Sequence, residues 1–257
     1  MLSDTHDLKA FGHTNQKLNH QMNIKWIGQS GYILDAAGIK LVIDPYLSNS
    51  IEEIQGLKRM FPIPVAFEDL HPDYIYCTHN HLDHFDPKTI LSMLKLYPKC
   101  KIIGPASVIE HAKRLKINSR NLILIQQYES LSLGELKLTA TPAFHSDPFS
   151  TGLLIKDKQR TIYFSGDTEY VPELAGLIKK LLGAKPDLFF VCINGKLGNM
   201  NADDAVRFSV DLNPEVVIPN HYGMFAENTA DPSYFAALCD ARGLNTKIMR
   251  IDTSIEL

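Results

Sequence analysis

The distribution of hydrophobic positions divides the chain into stretches of two kinds. From residue 23 to residue 45, short β-rich runs are separated by turns at Gly28, Gly31 and Gly38, which predicts an antiparallel meander of strands. A second stretch has the same character and predicts strands at residues 135–141, 152–156 and 161–164. Each of these stretches therefore predicts one antiparallel part of a sheet.

After each all-strand stretch, predicted strands and helices alternate. In the middle of the chain a strand at 74–78 leads to a helix at 87–96, with Pro87 in its first turn and Asp86 as its N-cap. The remaining predicted strands lie at residues 102–103, 122–125, 188–193, 216–218 and 248–251. The remaining predicted helices lie at residues 51–59, 105–115, 172–182, 202–212 and 232–239. This order predicts an α/β protein with two sheets face to face and helices outside them.

The N-terminal residues differ from the rest of the chain. Residues 1–22 are polar and carry His6, His13 and His20 at seven-residue spacing, but helix-breaking residues lie between them. We therefore expect an arm or a docking segment there rather than a metal site. Residues 23–257 show no linker or low-complexity tract and are expected to form a single domain. No apolar run suits a signal peptide or the ~18 residues of a membrane helix, which predicts a cytoplasmic protein without a membrane partner.

Composition narrows the class of protein further. The 257 residues are 45% hydrophobic and 21% charged, which is typical of a globular chain and excludes disordered, collagen-like and coiled-coil proteins. Lys and Arg number 26 against 29 Asp and Glu, with no basic run, so we expect no nucleic-acid partner. The four cysteines lie far apart and form no CxxC pair, which indicates buried free thiols in a reducing compartment. The number of histidines, ten, is high for a chain of this length.

Three of these histidines crowd the segment that follows the predicted strand 74–78. His79 and His81 stand at i and i+2 after a strand, so they project to the same side and can bind one ion as a pair. Asp83 and His84 follow where the chain turns toward the next helix, so they can reach a second ion. The alternative is a histidine-rich polar loop. That alternative requires four metal-competent side chains to gather by chance at the end of one buried strand.

The spacing H-x-H-x-D-H resembles the signature of the metallo-β-lactamase superfamily, and further motifs of that family follow in the same order. They are Asp44 in Ile-Asp-Pro, His145 in Phe-His-Ser, Asp167 in Ser-Gly-Asp-Thr and His221 in Asn-His-Tyr-Gly. Each follows a predicted strand. The resemblance implies a four-layer αββα sandwich, which fits the predicted order of elements.

The resemblance also implies a ligand set for two divalent metal ions. One ion is expected on His79, His81 and His145, the other on Asp83, His84 and His221, with Asp167 as the bridge and Asp44 orienting a ligand from behind. Five imidazoles, two carboxylates and no thiolate suit Zn²⁺ or Mn²⁺, and Fe²⁺ also fits. The diiron, oxygen-reducing branch of the family has Glu where this chain has His81, so we expect hydrolysis rather than redox chemistry.

The expected reaction is two-metal hydrolysis. Two ions ~3.5–4 Å apart share a water whose pKa falls toward ~7, and the resulting hydroxide attacks a carbonyl or phosphoryl centre. Asp83 and Asp167 are the expected catalytic carboxylates. Asp83 is also placed to orient the nucleophile or to carry its proton.

Three stretches resemble the L-ascorbate-6-phosphate lactonase branch of the superfamily: residues 164–170, 193–200 and 217–225. The Asn/Gly-rich loop 193–200 follows a strand and runs into a helix, so its backbone N–H groups and side chains could receive an anionic group. The expected substrate contacts are Asn194, Lys196, Asn199 and Tyr222. This resemblance implies a small anionic ester or lactone as the substrate, and a homo-oligomer.

Two other classes of function stay open. A phosphodiesterase or RNA-processing nuclease has the same fold, but the absence of an inserted domain and the excess of acidic residues disfavour it. A non-catalytic metal-binding protein would carry a degraded site, whereas here every expected ligand is present.

Overall fold

The computed structural model describes residues 21–257, and residues 1–20 of the predicted arm, which include its three histidines, lie outside this range. The strands of the described part are β1 Asn23–Gly28, β2 Gly31–Ala36, β3 Ile39–Ile43, β4 Tyr74–Tyr76, β5 Lys101–Gly104, β6 Leu122–Leu124, β7 Ser130–Leu133, β8 Leu136–Pro142, β9 Thr151–Lys156, β10 Thr161–Phe164, β11 Leu188–Cys192, β12 Val216–Asn220 and β13 Ser254–Glu256. The helices of that part are α1 Ser50–Gln55, α2 Pro87–Leu96, α3 Ala106–Arg114, α4 Pro172–Leu182, α5 Ala202–Leu212 and α6 Pro232–Asp240. Two short 3-10 turns lie at Phe67–Asp69 and Ser119–Asn121.

These strands form two mixed sheets. The first has the order β13-β1-β2-β3-β4-β5-β6, and the second has the order β12-β11-β10-β9-β8-β7. In the first sheet, β1 to β3 pair antiparallel and β3 to β6 pair parallel. In the second, β7 to β10 pair antiparallel and β10 to β12 pair parallel. The predicted sequence of all-strand and alternating stretches is thus confirmed in both sheets.

The two faces of the first sheet pack against different partners. Ile75 and Ile102 point into an apolar cluster with α2 and α3, which contribute residues such as Met93 and Val108. Their neighbours Tyr76 and Ile103 point the other way, into the large cluster between the sheets. Because successive side chains of a strand alternate, a sheet covered on both faces needs apolar residues at consecutive positions.

On its far side the second sheet is covered by α4, α5 and α6, whose buried residues join the same large cluster. The arrangement is therefore helices, sheet, sheet and helices. This confirms the α/β class and the four-layer αββα sandwich that the resemblance implies.

Local capping explains where the helices begin. The Asp86 carboxylate accepts hydrogen bonds from the N–H groups of Lys88 and Thr89 at the start of α2. The Asn201 side chain accepts one from Asp204 N–H at the start of α5. Helix α1 is shorter than predicted, because Gly56 adopts φ 76° immediately after Gln55 and ends it. Among the described helices, none combines the length and the apolar character that crossing a membrane requires.

The C-terminal region corrects one predicted strand. Residues 248–251 are not a strand, because the edge of β12 is paired with the residues just before them, from Val217 N–H to Asn245 O and from Lys247 N–H to Val217 O. The chain then turns and runs antiparallel to β1 as β13. Met22, which we assigned to the arm, is 1% exposed and exchanges backbone hydrogen bonds with Leu257. Strand β7 is absent from the prediction because the alternation of serine and leucine there extends over only four residues.

Candidate metal centre

The predicted ligands meet at one end of the sandwich, where strands of both sheets finish. His79, His81, Asp83 and His84 lie in the loop after β4 of the first sheet. The second sheet contributes His145 after β8, Asp167 after β10 and His221 directly after β12. Side chains that follow the carboxyl ends of parallel strands share one edge of a sheet, and ligand sites commonly form there. The centre therefore spans the two sheets.

Nitrogen and oxygen atoms of the seven residues form three overlapping groups, each with its atoms within 4.8 Å of one another. The first group is His79, His81 and His145, the second is Asp83, His84 and His221, and the third is His79, His84 and Asp167. In the first group, His81 Nδ1 lies 2.9 Å from His79 Nε2 and 3.1 Å from His145 Nε2. The first two groups are the two predicted sets of ligands for separate ions.

Asp167 stands between these two sets. Its Oδ1 lies 3.4 Å from His84 Nε2, while its Oδ2 lies 3.1 Å from His221 Nε2 and 3.9 Å from His145 Nε2. A single carboxylate thus faces histidines of both sets. That position supports the predicted bridging role.

The outward nitrogens of four imidazoles are held by the protein. Nδ1 of His79 lies 3.0 Å from Thr78 Oγ1, and Nδ1 of His145 lies 2.9 Å from Gly198 O. His81 is turned the other way, with Nε2 3.3 Å from Ser146 Oγ. Contacts of this kind fix the ring orientation and direct the other nitrogen to the centre.

Asp44 holds the fourth imidazole, that of His84, whose Nδ1 lies 2.9 Å from Asp44 Oδ2. The same carboxylate accepts hydrogen bonds of 2.7 Å from the N–H and from the hydroxyl of Thr78. Asp44 is 1% exposed and adopts φ 42°, a left-handed conformation that is uncommon for residues other than glycine. His221 also has a left-handed backbone, with φ 60°. Strain of this kind collects at sites where function constrains the chain.

Two residues of the centre carry no signal that we could read from the sequence. Gln29, in the turn between β1 and β2, is buried and donates a 3.0 Å hydrogen bond from Nε2 to Asp83 Oδ2. Asp147 accepts from Asn80 N–H at 3.0 Å and from the Ser107 hydroxyl at 2.7 Å. Asp147 therefore ties the loop of His79 and His81 to the segment that carries His145.

In the Asn/Gly loop 193–200, which we predicted as an anion site, the Asn194 and Asn199 side chains donate hydrogen bonds to other protein groups. Asn199 Nδ2 donates to Asp167 Oδ2 at 2.7 Å and to Asn194 Oδ1 at 3.0 Å, so Asn199 orients the candidate bridge. Asn194 in turn donates from Nδ2 to Asn228 Oδ1 at 2.7 Å. Several N–H groups of the loop are taken within the fold, including those of Gly195, Asn199 and Met200.

Lys196 and Tyr222 do not reach the site that we predicted for them. The Lys196 ammonium donates to Glu227 O at 2.6 Å, and Lys196 is not among the described residues that line the cavity. The Tyr222 hydroxyl donates to Met249 O at 3.0 Å, and its ring packs on Trp26 with centroids 4.9 Å apart. Both side chains thus have partners within the protein, and neither is among the described residues that line the cavity.

The charges of the metal-free centre are strongly coupled. Burial acts to raise the pKa of Asp167, but His221 and His84 outweigh it and hold the pKa well below its usual range. The same opposition, with His84 and His221 as partners, lowers the pKa of Asp83. Burial acts to lower the pKa of His221, but Asp167 and Asp83 raise it to about 9, and they raise the pKa of His84 as well. Burial and the nearby His84 lower the pKa of His79 well below its usual range.

The donor set fits divalent ions. Imidazole nitrogens and carboxylate oxygens are ligands of Zn²⁺, Mn²⁺ and Fe²⁺, and thiolates are absent from the set. In addition, His84 Nε2 and Asp167 Oδ1 are buried and have no hydrogen bond besides the 3.4 Å ion-pair contact between them. A cation bound between buried atoms of this kind would supply a closer partner to each.

Metal loading is expected to release protons at neutral pH. His84 and His221 carry protons in the metal-free protein because their pKa values are raised, and an ion needs the neutral rings. The stabilisation from these paired histidines is complete below the unfolded pKa of ~6.5 and is lost as pH rises through the folded value of about 9. Calorimetry of Zn²⁺ binding at pH 7 in two non-coordinating buffers of different ionisation enthalpy measures the released protons.

We expect at least one proton per chain, and weaker metal binding as pH falls. The control is His71→Asn, which replaces an exposed histidine at φ 42° by a residue that tolerates this backbone. This variant should release as many protons as the parent. A binding enthalpy that is independent of the buffer would contradict the expected protonation of His84 and His221.

A cavity of about 960 Å³ lies over the centre, and its lining includes His81, Asp83, His145, Asp167 and His221. The candidate ligands therefore form part of the surface of a space large enough for a small molecule. Asn199 and Asn228 also line this space.

Comparison with known proteins agrees with this geometry. A UPF0173 metal-dependent hydrolase of Staphylothermus marinus is 29% identical over 226 residues, which cover 85% of this chain and 91% of the relative. Another, of Methanosarcina barkeri, is 28% identical over 252 residues, or 92% of this chain and 99% of the relative. The structure of Igni18, a metallo hydrolase of Ignicoccus hospitalis, matches the fold with a TM-score of 0.77 at 20% identity, over 92% of this chain and 98% of that one.

The family model described as a beta-lactamase superfamily domain matches residues 40–222, which is well over half of the chain. The matched range begins in β3 and ends one residue after His221, so it includes Asp44 and the seven predicted ligands. The chain belongs to the metallo-β-lactamase superfamily.

Proposed function

We propose that this protein is a binuclear metal-dependent hydrolase that cleaves a small ester or lactone. The observation that carries the proposal is the position of Asp167, whose two oxygens face histidines of both ligand sets. The similarity to relatives named as metal-dependent hydrolases supports the general class. The lactone part rests on the resemblance of loop 193–200 and its neighbours to the lactonase branch.

In this proposal the seven residues divide as the geometry groups them. His79, His81 and His145 would hold one ion, Asp83, His84 and His221 would hold the other, and Asp167 faces histidines of both sets. When bound, divalent ions at such a centre supply a water of lowered pKa and Lewis acidity toward a substrate oxygen.

The protein's own groups position the reactants. Gln29 holds one oxygen of Asp83 at 3.0 Å, and Asp83 lines the cavity, so its carboxylate is placed to accept a proton from the attacking water. Asn199 holds Oδ2 of Asp167 at 2.7 Å and prevents this carboxylate from rotating. Such contacts keep catalytic groups oriented before the substrate arrives.

Metal content and substrate ranking test this proposal together. The purified protein should hold close to two divalent ions per chain. With Mn²⁺ or Zn²⁺ it should hydrolyse p-nitrophenyl acetate and simple lactones much faster than bis(p-nitrophenyl) phosphate. Metal analysis by mass spectrometry and initial rates measure both quantities on the same sample.

The alternatives have distinct outcomes in the same experiment. A faster reaction with the phosphodiester would favour the phosphodiesterase function and reject the ester or lactone. Two bound ions without turnover of any of these compounds would favour a non-catalytic metal-binding protein.

A further inference from the structure

Two groups of apolar side chains line the cavity above the centre. Ile51 and Phe225 belong to a small buried cluster that includes the start of α1. Phe144 and Tyr128 also line the cavity and are 41% and 52% exposed. The candidate ligands are thus bordered by polar side chains and also by aromatic and aliphatic ones. A substrate that fills this space must place apolar groups against them.

The lining of the cavity includes no Lys or Arg side chain for a phosphate or a carboxylate among the residues of the described range 21–257. Glu169 instead adds a third carboxylate to those of Asp83 and Asp167. An anionic group beside Glu169 would meet a like charge and gain no Lys or Arg partner, which is unfavourable.

Basic residues within two positions of a lining residue contact other groups of the protein. Lys58, next to Leu57, lies 3.8 Å from the carboxylate of Glu52. Lys196, next to Leu197, donates to Glu227 O. Arg59 donates to Tyr46 O at 3.0 Å, and its guanidinium lies 5.1 Å from the Tyr46 ring centre and 5.2 Å from that of Phe61. Arg59 is therefore part of the packing around α1.

Leu197 is the least expected residue of the cavity wall. It is 74% exposed and has φ 55°, between Gly195 and Gly198, which also have positive φ. An L-residue with a bulky side chain adopts this conformation at a cost that Gly or Asn largely avoids. The Leu197 side chain contributes little to the core, so neither burial nor backbone preference explains a leucine here. A contact with an apolar ligand does explain it.

We propose that the cavity binds a neutral ester or lactone with an apolar substituent, which lies against the lining side chains of Phe144, Leu197 and Phe225. This inference rests on the proposed hydrolase function and replaces the anionic substrate implied by the lactonase resemblance. In the reaction, the oxygen of water bonds to the carbonyl carbon and the carbon–oxygen bond to the leaving group breaks. One water proton passes to the leaving oxygen, so the products are a carboxylic acid and an alcohol.

Two esters that differ in charge test the proposal directly. The metal-loaded protein is given p-nitrophenyl hexanoate and mono-p-nitrophenyl adipate, which share the leaving group and the six-carbon acyl chain. Only the adipate ends in a carboxylate. We expect kcat/KM to be at least about tenfold higher for the hexanoate, since the carboxylate of the adipate would meet the like charge of Glu169 or lie against apolar side chains.

The outcomes separate this inference from the function on which it rests. Equal rates, or a faster reaction with the adipate, would overturn the neutral substrate while leaving the hydrolase intact. No turnover of either ester by protein with both ions bound would overturn the hydrolase proposal and this inference with it.

A variant at Leu197 tests which surface binds the apolar group. The variant Leu197→Asn removes the apolar side chain. Because asparagine tolerates φ 55°, the fold should be kept. We expect about a tenfold higher KM for the hexanoate and a smaller change for the acetate, because the lost apolar contact grows with chain length. The control is Leu124→Asn, a half-exposed position in β6 outside the cavity lining. An unchanged dependence on chain length in Leu197→Asn would overturn the role of Leu197.

Discussion

Replacing Asp167 by alanine is expected to remove at least one of the two ions and to lower hydrolysis about a thousandfold, or ~4 kcal/mol of lost transition-state stabilisation. Asp167 is 3% exposed, and its two oxygens face His84 on one side and His221 and His145 on the other. Without this carboxylate, neither ion keeps its shared ligand. The metal-free variant should also be less stable by about 3–5 kcal/mol, because two buried histidines lose a counter-charge.

Metal analysis, kcat/KM and thermal unfolding with and without chelator measure these three effects. Asp167→Asn keeps the shape of the side chain and should lose metal and activity as well, which separates charge from packing. The control is Asp203→Ala, an exposed carboxylate in the first turn of α5. Full metal content and full activity in Asp167→Ala would exclude the bridging role.

Asp44→Ala is expected to have the second largest effect, mainly on folding. The carboxylate accepts from the Thr78 N–H, the Thr78 hydroxyl and His84 Nδ1, all of them buried. Alanine would leave three buried polar groups without an acceptor and would remove a left-handed Asp at φ 42°. We expect the free energy of unfolding to fall by about 3–5 kcal/mol.

Asp44→Asn gives the milder and more specific result. Asparagine tolerates the left-handed backbone, but its amide cannot accept from all three donors. The metal affinity should therefore fall about 10–100-fold, as is usual when a partner behind a histidine ligand is lost. Zn²⁺ competition with a chromophoric chelator measures this change. Asp35→Asn, at an exposed position of β2, should keep the affinity of the parent; a normal affinity in Asp44→Asn would reject the orienting role.

The sequence predicted those features that depend on local spacing. His79 and His81 stand two positions apart after a strand, so their common direction follows from strand geometry. Asp86, as an N-cap residue, predicts the start of α2, and the structure confirms the helix at Pro87–Leu96. The seven predicted ligands were recognisable because each follows a strand end and the family order is kept.

Features that depend on distant contacts were not predictable in this way. Gln29 reaches Asp83 only because β1 and the loop after β4 meet at the same end of the sandwich. Lys196 carries the positive charge that an anion ligand needs, yet its ammonium group donates to Glu227 O. Residues 248–251 have the apolar pattern of a strand, but no free edge of β12 is left for them. In each case a tertiary contact overrides the local preference.

The spread of the candidate ligands over both sheets would make bound ions act as cross-links of the folded chain. Ions held jointly by the loop after β4, by His145 and by His221 would join distant segments of the chain. The cysteines of the described chain, Cys77, Cys100, Cys192 and Cys239, are all free and buried. Metal binding would thus stabilise the folded chain of a protein that has no disulfide among its described residues, because ions held by the assembled site are released on unfolding.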